Sequence, residues 1–241
     1  MSGFVDLHCH WIAGIDDGAR TVEEGIAMLE ALGRVGFARV VATPHMRPGM
    51  FDNDKASLTA AYERMLPHLR GVPGLPEVGL SSEHYFDDVV YQRLLNGEGL
   101  PYPGRRAVLL EFYDITLPAA LDRHLFTLQS RGLLPVIAHP ERYHPIWRSP
   151  ETLERLVEAG AAALLDVAAL AGKYGQKPQR TAEELLERGL YHAACSDAHR
   201  PADADAVLQG MQHVEKRYGS EELDFLFREG PLALLEGQLP D

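Results

Sequence analysis

The sequence predicts an α/β fold in one domain, residues 1–241, built as a parallel barrel of seven units that is incomplete or distorted. Three observations carry this reading. Short, nearly unbroken apolar runs alternate with segments of helical periodicity, the pattern of strands buried on both faces of a parallel sheet. Seven such units follow one another, which favours a barrel over an open sheet. Six of the seven proposed strands end in a potential metal ligand, and parallel barrels gather their active sites at the C-terminal ends of the strands.

The first strand runs from Phe4 into His8-Cys9-His10. Residues i and i+2 of a strand share a face, so His8 and His10 project together and can chelate one ion while Cys9 turns away. Asp16-Asp17 follow in the next loop and can supply a carboxylate. Thr21 to Val35 keeps helical spacing at Ile26, Leu29 and Leu32, opens with a Thr21/Glu24 capping box and stops at Gly36. Arg39 to Thr43 is a β-branched second strand ending in Pro44-His45. Asn53 to Leu69 reads as a helix, Glu77 to Tyr85 as a third strand carrying Glu83, and Asp87 to Leu95 as a helix.

The second half repeats the rhythm. Ala107 to Leu110 is the fourth strand and ends at Glu111; Pro118 to Ser130 is a helix. Leu134 to Ala138 is the fifth strand and ends at His139. Pro150 opens a helix at its favoured first position, running to Ala159. Ala163 to Val167 is the sixth strand, and Thr181 to Arg188 a helix with a second capping box, Thr181 and Glu184. Tyr191 to Cys195 is the seventh strand, ending in Ser196-Asp197-Ala198-His199. Helices over Ala204 to Tyr218 and Glu221 to Phe227 follow.

Composition narrows the function. A formal charge of -12 argues against general affinity for nucleic acid or an anionic membrane. The longest weakly polar run, Ala159 to Gly172, contains Asp166 and falls short of the roughly 20 residues that span a bilayer. No basic segment followed by an apolar one opens the sequence, so a cytoplasmic protein is expected. Cys9 and Cys195 alone indicate no disulfide framework and read as small buried residues.

With Asp17 added, the candidate ligands are His8, His10, Asp17, His45, Glu83, Glu111, His139, Asp197 and His199. These are too many for one ion and suit a cluster of two or three. Imidazole and carboxylate donors without thiolates fit zinc, manganese or iron. Three divalent ions would outweigh the four carboxylates and leave a positive surplus suited to a phosphate dianion and an activated water. Arg142, in His139-Pro140-Glu141-Arg142-Tyr143, could hold phosphate oxygens in a bidentate fork, or simply pair with Glu141 at the surface. Arg47 and Arg200 also follow candidate ligands and read as surface residues.

These motifs carry a family resemblance. His8-Cys9-His10, Thr43-Pro44-His45, Ala138-His139-Pro140 and Ser196-Asp197-Ala198-His199 resemble the motifs of the PHP (polymerase and histidinol phosphatase) superfamily. More narrowly, HCHWIAGIDDGARTVEEG, ATPHM, LLEFYDITLP, AHPERY, LAGKYGQKPQRTAEELLERG and CSDAH resemble the bacterial capsule-type, CpsB/YwqE-like protein-tyrosine phosphatases, in register from Phe4 to His199. The resemblance implies a distorted (β/α)7 TIM-like barrel with a trinuclear site, usually manganese-dependent, that dephosphorylates bacterial tyrosine kinases controlling exopolysaccharide export. It implies one ion on His8, His10, Glu83 and Asp197, a second on Glu83, Glu111 and His139, and a third on Asp17, His45 and His199. It makes Arg142 the catalytic, phosphate-binding arginine. The chain departs from the family pattern at Met46, often a second His, at Arg200, usually small and polar, and at Asp166-Val167-Ala168-Ala169, usually Gln/Asn/Ser-rich.

Other readings share parts of this frame. A small-molecule phosphatase such as histidinol phosphatase would use the same metals, whereas Asp-Asp-Gly after strand one and Glu-Phe after strand four lean towards the tyrosine-phosphatase branch. The nuclease activity of polymerase-linked PHP domains sits poorly with the acidic charge. A non-catalytic metal-binding module on a decayed barrel would have lost ligands, yet all nine positions are filled.

Overall fold

The computed structural model describes residues 3–240; of the expected domain bounds 1–241, residues 1, 2 and 241 lie outside the described residues. The strands are β1 (Phe4–Cys9), β2 (Phe37–Ala42), β3 (His45–Met46), β4 (Glu77–Leu80), β5 (Glu83–Tyr85), β6 (Ala107–Glu111), β7 (Leu134–Ala138), β8 (Ala162–Asp166) and β9 (Ala193–Cys195). The helices are α1 (Val22–Val35), α2 (Lys55–Leu69), α3 (Asp88–Leu95), α4 (Leu121–Ser130), α5 (His144–Arg148), α6 (Glu151–Glu158), α7 (Gln176–Glu187), α8 (Asp203–Tyr218), α9 (Ser220–Asp224) and α10 (Gly230–Glu236).

The pairings between these strands are parallel, in a sheet of order β1-β2-β4 and a sheet of order β3-β5-β6-β7-β8-β9. A bridge from Cys9 to Ala198 joins the two at the β1 edge. The expected second and third strands are each cut in two. Pro44 lacks the N–H that a continuing ladder needs, and β2 gives way to β3 at Thr43-Pro44. Beside it, β4 and β5 are separated by Ser81-Ser82, where Ser82 Oγ donates to Pro44 O at 2.8 Å. Seven staves therefore arise from nine strands among the described residues, and the breaks are the distortion.

Two apolar cores result. The inner one fills the barrel with Val5, Leu7, Val41, Leu109, Val136, Ala138, Leu164 and Cys195. Because β4 does not pair with β6, Tyr102 enters this gap, fully buried, and its hydroxyl donates to Leu7 O at 2.8 Å. Leu234 and Leu235 of α10 join the same cluster beside Val5, Ala107, Ala162 and Ala193, the early residues of their strands. They close the end of the barrel opposite the candidate site. The outer core packs α1, α2, α4, α6, α7 and α8 around the staves, through residues such as Met28, Leu58, Leu125, Leu153, Leu185 and Val207.

A bulge in β1 sets which side chains reach the cavity. Asp6 pairs with Val40 and Cys9 with Ala42, so three steps on β1 oppose two on β2. Such a bulge re-aims the strand: Val5 and Leu7 belong to the inner core, whereas Cys9 belongs to the outer core and His8 and His10 turn inward.

Some helical expectations are corrected. Thr21 caps α1 by accepting from Glu24 N, but Glu24 returns its carboxylate to Arg20 N rather than Thr21 N, so the box is displaced by one residue. The Thr181/Glu184 box does not form. Gly175, at φ 90°, precedes a helix that starts at Gln176, and Thr181 is buried inside it. Pro118 lies outside α4, which begins at Leu121 after Ala120 at φ 55°. The sequence reading missed α5 and α10, the latter joined to α9 by a π-helical turn, Phe225–Glu229. No described helix is long and apolar enough to cross a membrane.

Candidate metal centre

All nine predicted ligands meet at the C-terminal end of the barrel. Four groups have donor atoms within 4.8 Å of one another: His10, Asp17, His45 and His199; His8, His10 and Asp197; His8, Glu83 and His139; His45, Glu83 and Glu111. Glu83 is the hub, and its two oxygens divide the work. Oε1 faces His139 Nε2 at 2.9 Å and His8 Nε2 at 3.5 Å. Oε2 faces His45 Nδ1 at 3.1 Å and His10 Nε2 at 3.6 Å.

Backbone strain helps aim the ligands. His139 and Asp197 leave their strands at φ 33° and 42°, a left-handed conformation that non-glycine residues avoid at a cost of about 1–3 kcal/mol each. Asp197 N donates to His8 O and His10 N to Ala198 O, which locks the first and last ligand strands together. The loop that carries Asp17 is pressed against β1 so tightly that a Cβ on Gly18 would lie 2.0 Å from His10 O. Glycine is required there.

A further layer orients the imidazoles. His10 Nδ1 lies 2.8 Å from Asp16 Oδ2, and His8 Nδ1 lies 2.7 Å from Thr43 Oγ1. Such outer partners fix the tautomer, leaving the other ring nitrogen available for an ion. Asp6, fully buried beneath the centre, accepts from Ser196 N at 2.9 Å, Ser196 Oγ at 2.5 Å and His8 N at 3.3 Å. The sequence reading gave Thr43 and Asp6 no role. Only their positions beside His8-Cys9-His10 and His45 could have signalled one.

The residues fit a metal cluster on a specific observation. His8 Nε2, His10 Nε2, His45 Nδ1, Glu111 Oε2 and Asp197 Oδ1 are buried and make no hydrogen bond in the protein, although they approach one another. His8 Nε2 and Asp197 Oδ1, for example, are 2.9 Å apart. Unsatisfied polar atoms are costly to bury, and atoms aimed at shared points rather than at each other are arranged as ligands are. Burial pulls His8 down to about 4 and also lowers His139, favouring the neutral imidazole that binds metal. His10 is opposed by burial, but Asp16, Asp197 and Glu83 outweigh it and hold it well above the usual histidine range. Burial and the neighbouring Glu111 push Glu83 well up. For Asp197 burial is outweighed by His8, Arg142 and His199, which hold it well below the usual carboxylate range. These opposed shifts describe negative and imidazole groups crowded together under heavy burial.

The cluster opens into a cavity of about 290 Å³ lined by Asp17, His45, Arg47, Phe51, Glu111, Asp114, Arg142 and Tyr174, among others. Arg142 is one-fifth exposed and donates from Nη1 to Asp197 Oδ2 at 2.8 Å, so it belongs to the cavity and is not a surface partner of Glu141. Glu141 is buried instead, accepting from Tyr191 Oη and Asp166 N. Arg47 is also a wall residue, its guanidinium 4.0 Å above the Tyr85 ring, which corrects its reading as a surface residue. Arg200 is exposed. Phe51 stacks on His45, with ring centroids 5.2 Å apart and planes at 9°.

A parallel barrel whose strand ends converge histidines and carboxylates on one cavity defines the class: an α/β barrel with a candidate multinuclear metal centre. The model of the family described as capsular polysaccharide synthesis, CpsB/CapC, matches residues 4–236, and the chain belongs to this family. It is 32% identical over 237 residues to tyrosine-protein phosphatase YwqE of Bacillus subtilis, covering 97% of this chain and 92% of that protein. It is 25% identical to tyrosine-protein phosphatase CpsB of Streptococcus pneumoniae, covering 98% and 99%. Its fold is similar to a crystal structure from work on YwqE and CpsB, described as unique metal-dependent tyrosine phosphatases. There the TM-score is 0.88 at 31% identity, over 97% of this chain and 95% of that one.

Proposed function

We propose that this chain is a metal-dependent protein-tyrosine phosphatase acting in the cytoplasm on a tyrosine-phosphorylated protein, a bacterial tyrosine kinase of capsule or exopolysaccharide synthesis. The observation that carries the reading is the convergence of nine histidine and carboxylate side chains beside Arg142 in one open cavity. The relatives' activity supports the choice of phosphotyrosine.

In this reading His8, His10, Glu83 and Asp197 hold one divalent ion, Glu83, Glu111 and His139 a second, and Asp17, His45 and His199 a third, with manganese preferred over iron or zinc. Glu83 suits a shared position because it touches residues of all three sets, His8 and His139 through Oε1 and His10 and His45 through Oε2, although Glu111 groups with His45 and Glu83 rather than with His139. Bound divalent ions supply a water activated at neutral pH and Lewis-acid polarisation of the phosphoryl oxygens. Arg142 then holds the phosphate and stabilises the charge that grows on it during transfer. Asp16 and Thr43 keep the His10 and His8 rings oriented. The Phe51 and Tyr174 rings in the cavity wall suit an aryl group carrying the phosphate.

The test is elemental analysis of the purified protein together with a panel of phosphotyrosine peptides, phosphoserine peptides and histidinol phosphate. Chelator-sensitive hydrolysis that favours the phosphotyrosine peptides is expected. Preference for histidinol phosphate would replace the tyrosine assignment, and full turnover by metal-free protein would end the metal reading.

A further inference from the structure

Asp166 ends β8 at the edge of the site yet belongs to none of the groups able to hold an ion. Its side chain is fully buried. Oδ1 accepts from Ala168 N at 3.0 Å, while Oδ2 makes no hydrogen bond of good geometry among the described residues, the Tyr174 side chain being its polar neighbour. A buried carboxylate with an idle oxygen is expensive to keep. The nearest cation to that oxygen is Arg142, whose Nη1 lies 3.7 Å away; the same nitrogen donates to Asp197 Oδ2. The guanidinium carbon also lies 4.9 Å from the centroid of the Tyr174 ring. Nε and Nη2 of Arg142 make no hydrogen bond among the described residues.

We propose that Asp166 is a positioning residue for Arg142. Asp197 holds Nη1 by a hydrogen bond, Asp166 adds its charge 3.7 Å from the same nitrogen, and the Tyr174 ring supports the guanidinium. The Nε–Nη2 edge is thereby left facing the cavity as a two-pronged donor for a phosphate. The inference rests on the reading of Arg142 as the phosphate-binding group. An amide at position 166 would carry no charge with which to hold the arginine.

The sign of one measurement separates positioning from simple charge. Asp166 is an anion near a site for another anion, so as a bystander its removal would strengthen phosphate binding. As a positioning group its removal weakens it. Inorganic phosphate is titrated calorimetrically into metal-loaded native protein, Asp166→Asn, Arg142→Ala and the double variant, with metal content measured for each. Expected is about tenfold weaker phosphate binding in Asp166→Asn at unchanged metal content, with no further weakening when the change is made in Arg142→Ala. Asp166→Ser serves in the same cycle if the asparagine variant does not fold. Equal or tighter phosphate binding, or the same loss with and without Arg142, overturns the proposal. Native protein that binds metal but no phosphate would remove the Arg142 reading itself, and the role of Asp166 with it.

Discussion

Asp16 Oδ2 stands 2.8 Å from His10 Nδ1, and the same oxygen accepts from His45 N at 3.2 Å while Oδ1 accepts from Gly18 N at 3.0 Å. One carboxylate thus fixes two predicted ligands and the loop that delivers a third. An asparagine in its place must turn an N–H towards one of these donors. Asp16→Asn is expected to weaken metal binding by about 10- to 100-fold, in line with other outer partners of ligating histidines. Competition with a chromophoric chelator measures this, and an unchanged affinity would reduce Asp16 to a loop residue.

Asp17 is 55% exposed and His199 25%, whereas His8, His10, Glu83 and Asp197 are buried. An ion held by Asp17, His45 and His199, as proposed, would therefore be the one most easily lost. Asp17→Asn should lower the bound metal by about one ion per chain and leave the rest in place, because carboxylate ligands set affinity at such a site. Elemental analysis after dialysis decides it. Loss of every ion would show that the partition into separate positions is wrong.

Arg142→Ala should cut kcat/KM for a phosphotyrosine peptide by about 10²-fold or more, roughly 3 kcal/mol of transition-state stabilisation. Lysine should restore only part, since it lacks the planar fork. Metal content should hold. Unchanged kinetics would leave the arginine as a partner of Asp197 alone.

Neither cysteine is placed to attack a phosphate. Cys9 Sγ is buried 3.5 Å from Met28 Sδ, and Cys195 Sγ donates to Leu165 O at 3.2 Å. Burial pushes both thiols well above their ordinary range, away from the reactive thiolate. Cys195 and Arg200 are also one residue too close for a Cys-x5-Arg phosphate loop. Cys9→Ser with Cys195→Ser should retain most turnover, with no phosphoenzyme trapped by rapid quench. Abolition of turnover by Cys195→Ser at full metal content would overturn the metal-based mechanism.

Much of the barrel was legible because strand periodicity and helix spacing are local signals. The candidate ligands were legible because all but Asp17, which sits in the loop after the first strand, lie at or just beyond the end of an apolar run. What escaped depends on contacts distant in sequence. The period-two rule placed His8 and His10 on one face, yet Val5 and Leu7 also face inward, and only the bulge against Val40 and Ala42 reconciles them. The break at Ser81-Ser82 answers the one at Pro44, and β4 ends without β6 as a neighbour. Thr181 read as a cap because its local motif is sound, but Gly175 had already opened the helix. Arg47 looked like any surface arginine until the Tyr85 ring lay beneath it.

The bridge between Cys9 and Ala198 also dictates an order of assembly. As the chain leaves the ribosome, β1 emerges early but cannot find its second neighbour until residue 198 follows. The inner core stays unsealed until Leu234 and Leu235 arrive. Pairings this far apart in sequence make folding slow and leave apolar strands uncovered meanwhile. A nascent chain stopped before β9 would own seven of the nine candidate ligands, enough for the set around Glu83, Glu111 and His139 but not for the sets that need Asp197 or His199. Loading the full centre must wait for nearly the whole polypeptide.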